Sequence, residues 1–112
     1  MKVIKALEIE EIPNPHDISV RALHKSNQAQ FEHLLLNPGD ALKMHVSYTY
    51  VYLYVLEGEG IVEAGDESRE ITADTLVEIS PEVPHRLINR GDSVFRVLNV
   101  KAPRAKKPTH LV

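Results

Sequence analysis

An all-β fold is what this sequence predicts, and three observations carry that reading. Apolar segments of about four to eight residues recur along the chain, separated by turn residues such as Asn37-Pro38-Gly39, Gly65-Asp66-Glu67-Ser68 and Arg90-Gly91-Asp92. No segment repeats its apolar residues at the period of a helix. From Tyr48 to Tyr54 tyrosine occupies every second position, with Thr49, Val51 and Leu53 between, and only a strand turns such an alternation into two distinct faces. Together these indicate an antiparallel sandwich or barrel.

In chain order, residues 1–11 read as a first strand through Val3, Ile4, Ala6 and Leu7, stopped by Pro13-Asn14-Pro15. Residues 18–24 form a second, closed by the polar run 25–30, and residues 31–36 a third that ends at Pro38-Gly39. Residues 41–47 and 48–56 are the next two, or one long bent strand. After Glu57-Gly58-Glu59-Gly60 come strands over 61–64 and 69–72 joined as a hairpin, then 76–79, 85–89 and 93–101. Residues 1–101 are expected to make one domain. The basic tail 102–112 carries Pro103 and Pro108, whose spacing forbids regular pairing and predicts a solvated or loosely docked terminus.

Composition excludes several classes. At 112 residues the chain suits one core, and 43% hydrophobic with 26% charged residues is a globular balance. Cysteine is absent, which removes disulfide scaffolding, thiolate catalysis and cysteine-bound metal. A formal charge of -3 provides no case for binding nucleic acid. No apolar run approaches a membrane span, and the amino terminus turns acidic too early for a signal peptide, so a cytoplasmic protein is expected.

His45 and Ser47 share the parity of Thr49, Val51 and Leu53, so they are expected to face the interior. The tyrosines then face the other way. Four aromatic side chains left open to water make a patch that monomers seldom carry, which predicts a homodimer through Tyr48, Tyr50, Tyr52 and Tyr54. Cover by the amino-terminal strands of the same chain would satisfy the face as well, and a bulge between Ser47 and Val51 would turn some tyrosines inward.

The spacing from Gly39 onward resembles that of small single-domain cupins, jelly-roll β-barrels with two sequence motifs. Gly39, His45 and Gly58 match the first motif, with Ser47 at its second histidine and Val51 at its glutamate. In the second motif His85 and Asn89 match, while Asp74 and Glu82 stand at its two glycines and Ser80 at its proline. VLEGEG and VPHRLINRGD are close to the family's wording. The resemblance implies the jelly roll, and a metal site in family members with all four ligands, commonly iron, manganese, nickel or zinc. This chain retains two, His45 and His85, and His33 is the candidate third if its strand turns it inward.

Three readings of the histidine pair stay open: a weak site for Zn, Ni, Fe or Mn, a pair that hydrogen-bonds an organic ligand, or a relic pair satisfied by Ser47, Asn89 or water. The leading expectation is a small-molecule-binding protein with a pocket of His45, Ser47, Val51, Leu53, His85, Leu87 and Asn89. A metal-dependent isomerase or dioxygenase and a non-catalytic dimeric partner protein are the alternatives. His16, His24 and His110 are expected at the surface.

Overall fold

The computed structural model describes all residues, 1–112. Ten strands follow a short 3-10 turn at Ala6–Glu8: β1 (Ser19–Lys25), β2 (Gln30–Leu36), β3 (His45–Val46), β4 (Val51–Glu57), β5 (Glu59–Ala64), β6 (Glu67–Thr72), β7 (Leu76–Ile79), β8 (His85–Ile88), β9 (Phe95–Lys101) and β10 (His110–Leu111). They form two antiparallel five-stranded sheets, ordered β1-β2-β9-β4-β7 and β10-β3-β8-β5-β6. Chain neighbours therefore often lie in opposite sheets, as the predicted jelly roll requires.

Alternation along β2, β4 and β9 decides what the barrel encloses. Leu34 and Leu36, Val51, Leu53 and Val55, and Phe95 and Val97 turn inward and join Val62, Ile71, Ile79 and Leu87 in one buried cluster. Phe95, Val97, Val55 and Leu36 have no exposed surface. Gly60 belongs to this packing, since a Cβ there would collide with the Phe95 ring. Gly58 sits at φ +81°, with the Val94 carbonyl where its Cβ would be, so both glycines of the EGEG stretch are demanded by close approach as well as by the turn.

Several expectations are corrected. Residues 1–11 form no strand; they are tied to β1 by side chains, Arg21 Nε donating to the Ile9 carbonyl and Ser19 Oγ to the Glu11 carboxylate, both 2.9 Å, with Arg21 also paired to Glu11 at 3.2 Å, and just beyond them Ile12 N–H donates to the Val20 carbonyl at 2.9 Å. Charged residues at Glu8, Glu10 and Glu11 leave that segment no continuous apolar face to lay on a sheet. The tail past Lys101 is not free. His110 and Leu111 pair with Val46 and His45, Val112 N–H donates to the Met44 carbonyl at 3.1 Å, and Thr49 Oγ1 donates to the Pro103 carbonyl at 2.6 Å. The two prolines confine pairing to the residues beyond them and do not abolish it.

Residues 48–56 do not form one strand with 41–47. The chain bends at Tyr48–Thr49, and the ladder begins at Val51. Parity nevertheless survives the bend, because His45, Ser47, Thr49, Val51 and Leu53 are all buried. The tyrosines keep to the outer face, where Tyr54 lies between Leu98 and Leu76 and Tyr52 between Val100 and Glu78. Tyr50 stacks beside Tyr52 with 6.4 Å between ring centroids, and Lys107 lies 5.0 Å from the Tyr48 ring centre.

Asp74 and Glu82, which replace the two motif glycines, both adopt φ of +65°. An L-residue held in the left-handed region costs roughly 1–2 kcal/mol. Asp74 is the better tolerated, being an aspartate whose carboxylate accepts the Tyr54 hydroxyl at 2.9 Å. Glu82 has no such compensation. Glu82→Gly, after about 0.5–1 kcal/mol lost to glycine's freedom in the unfolded chain, should raise thermal stability by up to about 1 kcal/mol, a Tm gain of a few degrees. A fall in Tm measured by calorimetry would contradict this account of the loop.

Candidate functional site

The inward rows change character toward one end of the barrel. On β9 the succession is Phe95, Val97, Asn99, Lys101; on β2, read the other way, it is Leu36, Leu34, Glu32; on β8 and β3 the inward residues there are His85 and His45. Apolar residues close one end, and at the other a cavity of about 260 Å³ opens among His16, Glu32, His45, Ser47, His85 and Lys101. Val20, Leu34, Leu42 and Val51 form its apolar wall, and the tail contributes Thr109 and Leu111.

His45 and His85 stand directly opposite each other on β3 and β8, with ring centroids 4.2 Å apart. Each ring is held by a backbone carbonyl two residues upstream: His45 Nδ1 lies 2.8 Å from the Lys43 oxygen and His85 Nδ1 2.9 Å from the Val83 oxygen. A carbonyl only accepts, so each Nδ1 carries the proton of the neutral ring and each Nε2 presents a lone pair. Neither Nε2 has a partner within the protein.

His16 has the opposite assignment. Its Nδ1 accepts the Lys43 backbone N–H at 2.9 Å, so its neutral ring carries the proton on Nε2. Its ring centroid lies 4.8 Å from that of His45. The Lys43 backbone thus holds two rings at once, its N–H donating to His16 and its carbonyl accepting from His45. Asn14 shapes the loop that delivers His16. Its amide donates to the Ile12 and Ile18 carbonyls at 3.2 and 2.8 Å, and its Oδ1 accepts the His16 N–H at 3.1 Å.

All three rings are neutral near pH 7. Burial lowers the pKa of each, most strongly for His85, which is pushed down to about 4. The carbonyl contacts of His45 and His85 act the other way and are outweighed, while the Lys101 charge adds to the lowering at all three. Lys101 is itself lowered by burial, partly offset by Glu32. Its Nζ donates to Thr109 Oγ1 at 2.9 Å.

Of the pocket residues predicted from the sequence, His45, Ser47, Val51 and His85 line the cavity. Leu53 and Leu87 lie deeper, within the packed core. Asn89 is a latch for the adjoining turn: its amide donates to the Leu36 and Ser93 carbonyls at 3.0 and 2.9 Å, and its Oδ1 accepts the Gly91 N–H at 3.0 Å. His33 is corrected as a metal ligand. Inward parity on β2 belongs to Glu32, Leu34 and Leu36, so His33 faces the opposite side, where its Nε2 accepts from Arg96 Nε at 3.1 Å. Burial, with Arg96 and Arg21 beside it, lowers its pKa.

His16, expected at the surface, is the main site residue that sequence reasoning missed, followed by Lys101 and Glu32. Alternation from Phe95 would have placed Lys101 inward; nothing local to the Pro-Asn-Pro stretch reveals His16.

The side chains present do not fit a divalent ion. Two imidazoles lie side by side, but His16 offers a proton, Val51 an alkyl wall and Lys101 a positive charge where further donors would be needed, and the cavity's carboxylate, Glu32, is engaged by Asn99 Nδ2 and faces the Lys101 charge. No group of three or more His, Asp or Glu side chains is placed to hold a metal.

A two-sheet β-barrel closed by apolar side chains at one end and carrying imidazoles at the other is a member of the double-stranded β-helix class. The chain belongs to the cupin family: residues 32–101 match the family model "Cupin domain". It is 30% identical over 77 residues to the tetracenomycin polyketide synthase protein TcmJ of Streptomyces glaucescens, a match covering 68% of this chain. The chain spans about half the length of the two polyketide synthase proteins it matches, 52% for TcmJ and 49% for CurC of Streptomyces cyaneus. Among solved structures, a conserved protein with a double-stranded β-helix domain from Klebsiella pneumoniae superposes with a TM-score of 0.85 at 18% identity, covering 100% of this chain and 97% of its own. The polyketide cyclase RemF of Streptomyces resistomycificus gives 0.85 at 19% identity, covering 100% and 85%. At those identities the likeness establishes the fold. No helix is long and apolar enough to cross a membrane.

The lowered histidines predict acid sensitivity with a definite sign. In the unfolded chain these rings titrate near their ordinary 6.5, and in the fold they titrate below it, so the unfolded state takes up protons first as pH falls. Stability should hold above pH 6.5 and decline from there toward pH 4. Calorimetric Tm against pH checks this, and His85→Gln should flatten the decline. A Tm rising over that interval would contradict the assignment.

Proposed function

We propose that this cupin binds a small polar organic molecule at the open end of its barrel and acts on it by proton transfer through His45 and His85, with no metal ion taking part. The observation that carries this reading is the pair of adjacent, unpartnered Nε2 lone pairs, each oriented by a backbone carbonyl. A neutral imidazole oriented in this way accepts a proton from a bound ligand and returns it, the task of a general base. A relative at 30% identity, TcmJ, is a polyketide synthase protein, and chemistry on a small organic molecule is compatible with this reading. The cavity, about 260 Å³, lies below the roughly 300–1,000 Å³ of sites for drug-sized ligands, which favours a compact guest over a multi-ring one.

The competing reading is a metal-dependent isomerase or dioxygenase. One observation favours it, because a carbonyl on Nδ1 is also the usual support of a metal-bound histidine. Elemental analysis of the purified protein separates the two. Iron, nickel, manganese and zinc should all remain far below one per chain, and addition of each should leave Tm within a degree. One equivalent of any of them, lost on His45→Ala, would reject the proposal.

A further inference from the structure

We propose that the guest is a small monocarboxylic acid carrying a hydroxyl or enol group beside its carboxylate, gripped at the carboxylate by Lys101 and His16 and at the hydroxyl by His45 and His85. The inference rests on the pocket reading above and goes further by naming the ligand's chemistry.

The donors make the first half of the case. The Lys101 ammonium is drawn into the cavity wall, yet it takes part in none of the chain's ion pairs, and its hydrogen bond goes to the neutral Thr109 hydroxyl. Glu32 shares the cavity and its charge reaches Lys101, but its carboxylate accepts from Asn99 Nδ2 at 3.3 Å and makes no pair with the ammonium. A partly desolvated ammonium whose one hydrogen bond goes to a neutral hydroxyl is under-compensated, and an anion entering the cavity supplies the missing charge. Ser47 also lines the cavity, but its unpaired Oγ is sealed behind the wall and is no contact for a guest. The Nε2–H of His16 joins the Lys101 ammonium as the second donor of the cavity lining, and the Lys43 charge reaches the His16 side of it.

The acceptors make the second half. A simple carboxylate would satisfy the donors and leave the His45 and His85 lone pairs facing carbon or each other. A dicarboxylate would set a second negative group against those lone pairs. A hydroxyl or enol proton one or two bonds from the carboxylate meets them. At about 30 Å³ per water, a 260 Å³ cavity holds about nine waters, so the acid has room for one ring or a short chain.

The test uses the full chain with three probes of similar size at pH 7.5: mandelate, which has both groups; phenylacetate, which has only the carboxylate; and benzyl alcohol, which has only the hydroxyl. Calorimetric titration should give saturable binding for mandelate at least ten-fold tighter than for phenylacetate, with benzyl alcohol weaker still. Lys101→Met should lose mandelate binding at least ten-fold while its unliganded Tm stays level or rises; if that variant folds poorly, Lys101→Gln replaces it. His45→Phe should bring mandelate and phenylacetate to equal affinity.

Equal binding of the two acids by the native chain, or native affinity in both Lys101 variants, would overturn the proposal. Benzyl alcohol as the best ligand would overturn it too and leave the pocket reading standing. If no probe binds and none shifts the ring resonances of His45 and His85, the pocket reading falls with it.

Discussion

The site depends on the ladder that holds β9 between β2 and β4. That pairing fixes which residues of three strands look inward, and along β9 and β2 the inward residues pass from apolar to polar in the same direction. Phe95 and Val97 lead to Asn99 and Lys101, and Leu36 and Leu34 to Glu32, while Val55, Leu53 and Val51 on β4 stay aliphatic, Val51 walling the polar end. A shift of one residue in β9 or β2 would put its charged inward residue on the outer surface, and a shift in any of the three would break the core behind it. The packed end gives the rigidity, and the polar end uses it.

On that frame the second sheet sets the proton pattern. His45 and His85 face each other across β3 and β8, and their orientation comes from main-chain carbonyls, not from mobile side chains. The Lys43 backbone couples His45 to His16, which the loop before β1 delivers. Because burial keeps all three rings neutral, each nitrogen has a definite role near neutral pH, donor or acceptor, and the cavity has a definite polarity. Lys101 contributes to that neutrality and is also what makes the cavity hostile to a metal cation. One substitution pattern thus has two effects: losing the glutamate and second histidine of the family motif removes ligands, and an inward lysine opposite Val51 reverses the charge the site would welcome.

Much of this was legible in the sequence, for identifiable reasons. Strand segments and the inward parity of His45, Ser47 and Val51 were readable because alternation is local and the bend at Tyr48–Thr49 preserves it. His33 was not resolvable, since His33-Leu34-Leu35-Leu36 is apolar on both parities and gives no sign of which face is buried. His16 and the strand at His110–Leu111 depend on contacts with Lys43 and with Val46, which no window of sequence contains. The positive φ at Asp74 and Glu82 shows the reverse case: the residues depart from the glycines of the motif, and the backbone keeps the shape those glycines normally serve.

The most direct test of the account is the protonation pattern of the three rings, read from nitrogen-15 chemical shifts and long-range couplings of the histidine side chains at pH 7. His45 and His85 should appear as the tautomer with the proton on Nδ1, and His16 as the tautomer with the proton on Nε2. Rings that are charged at that pH, or a His16 that shares the tautomer of the other two, would contradict it.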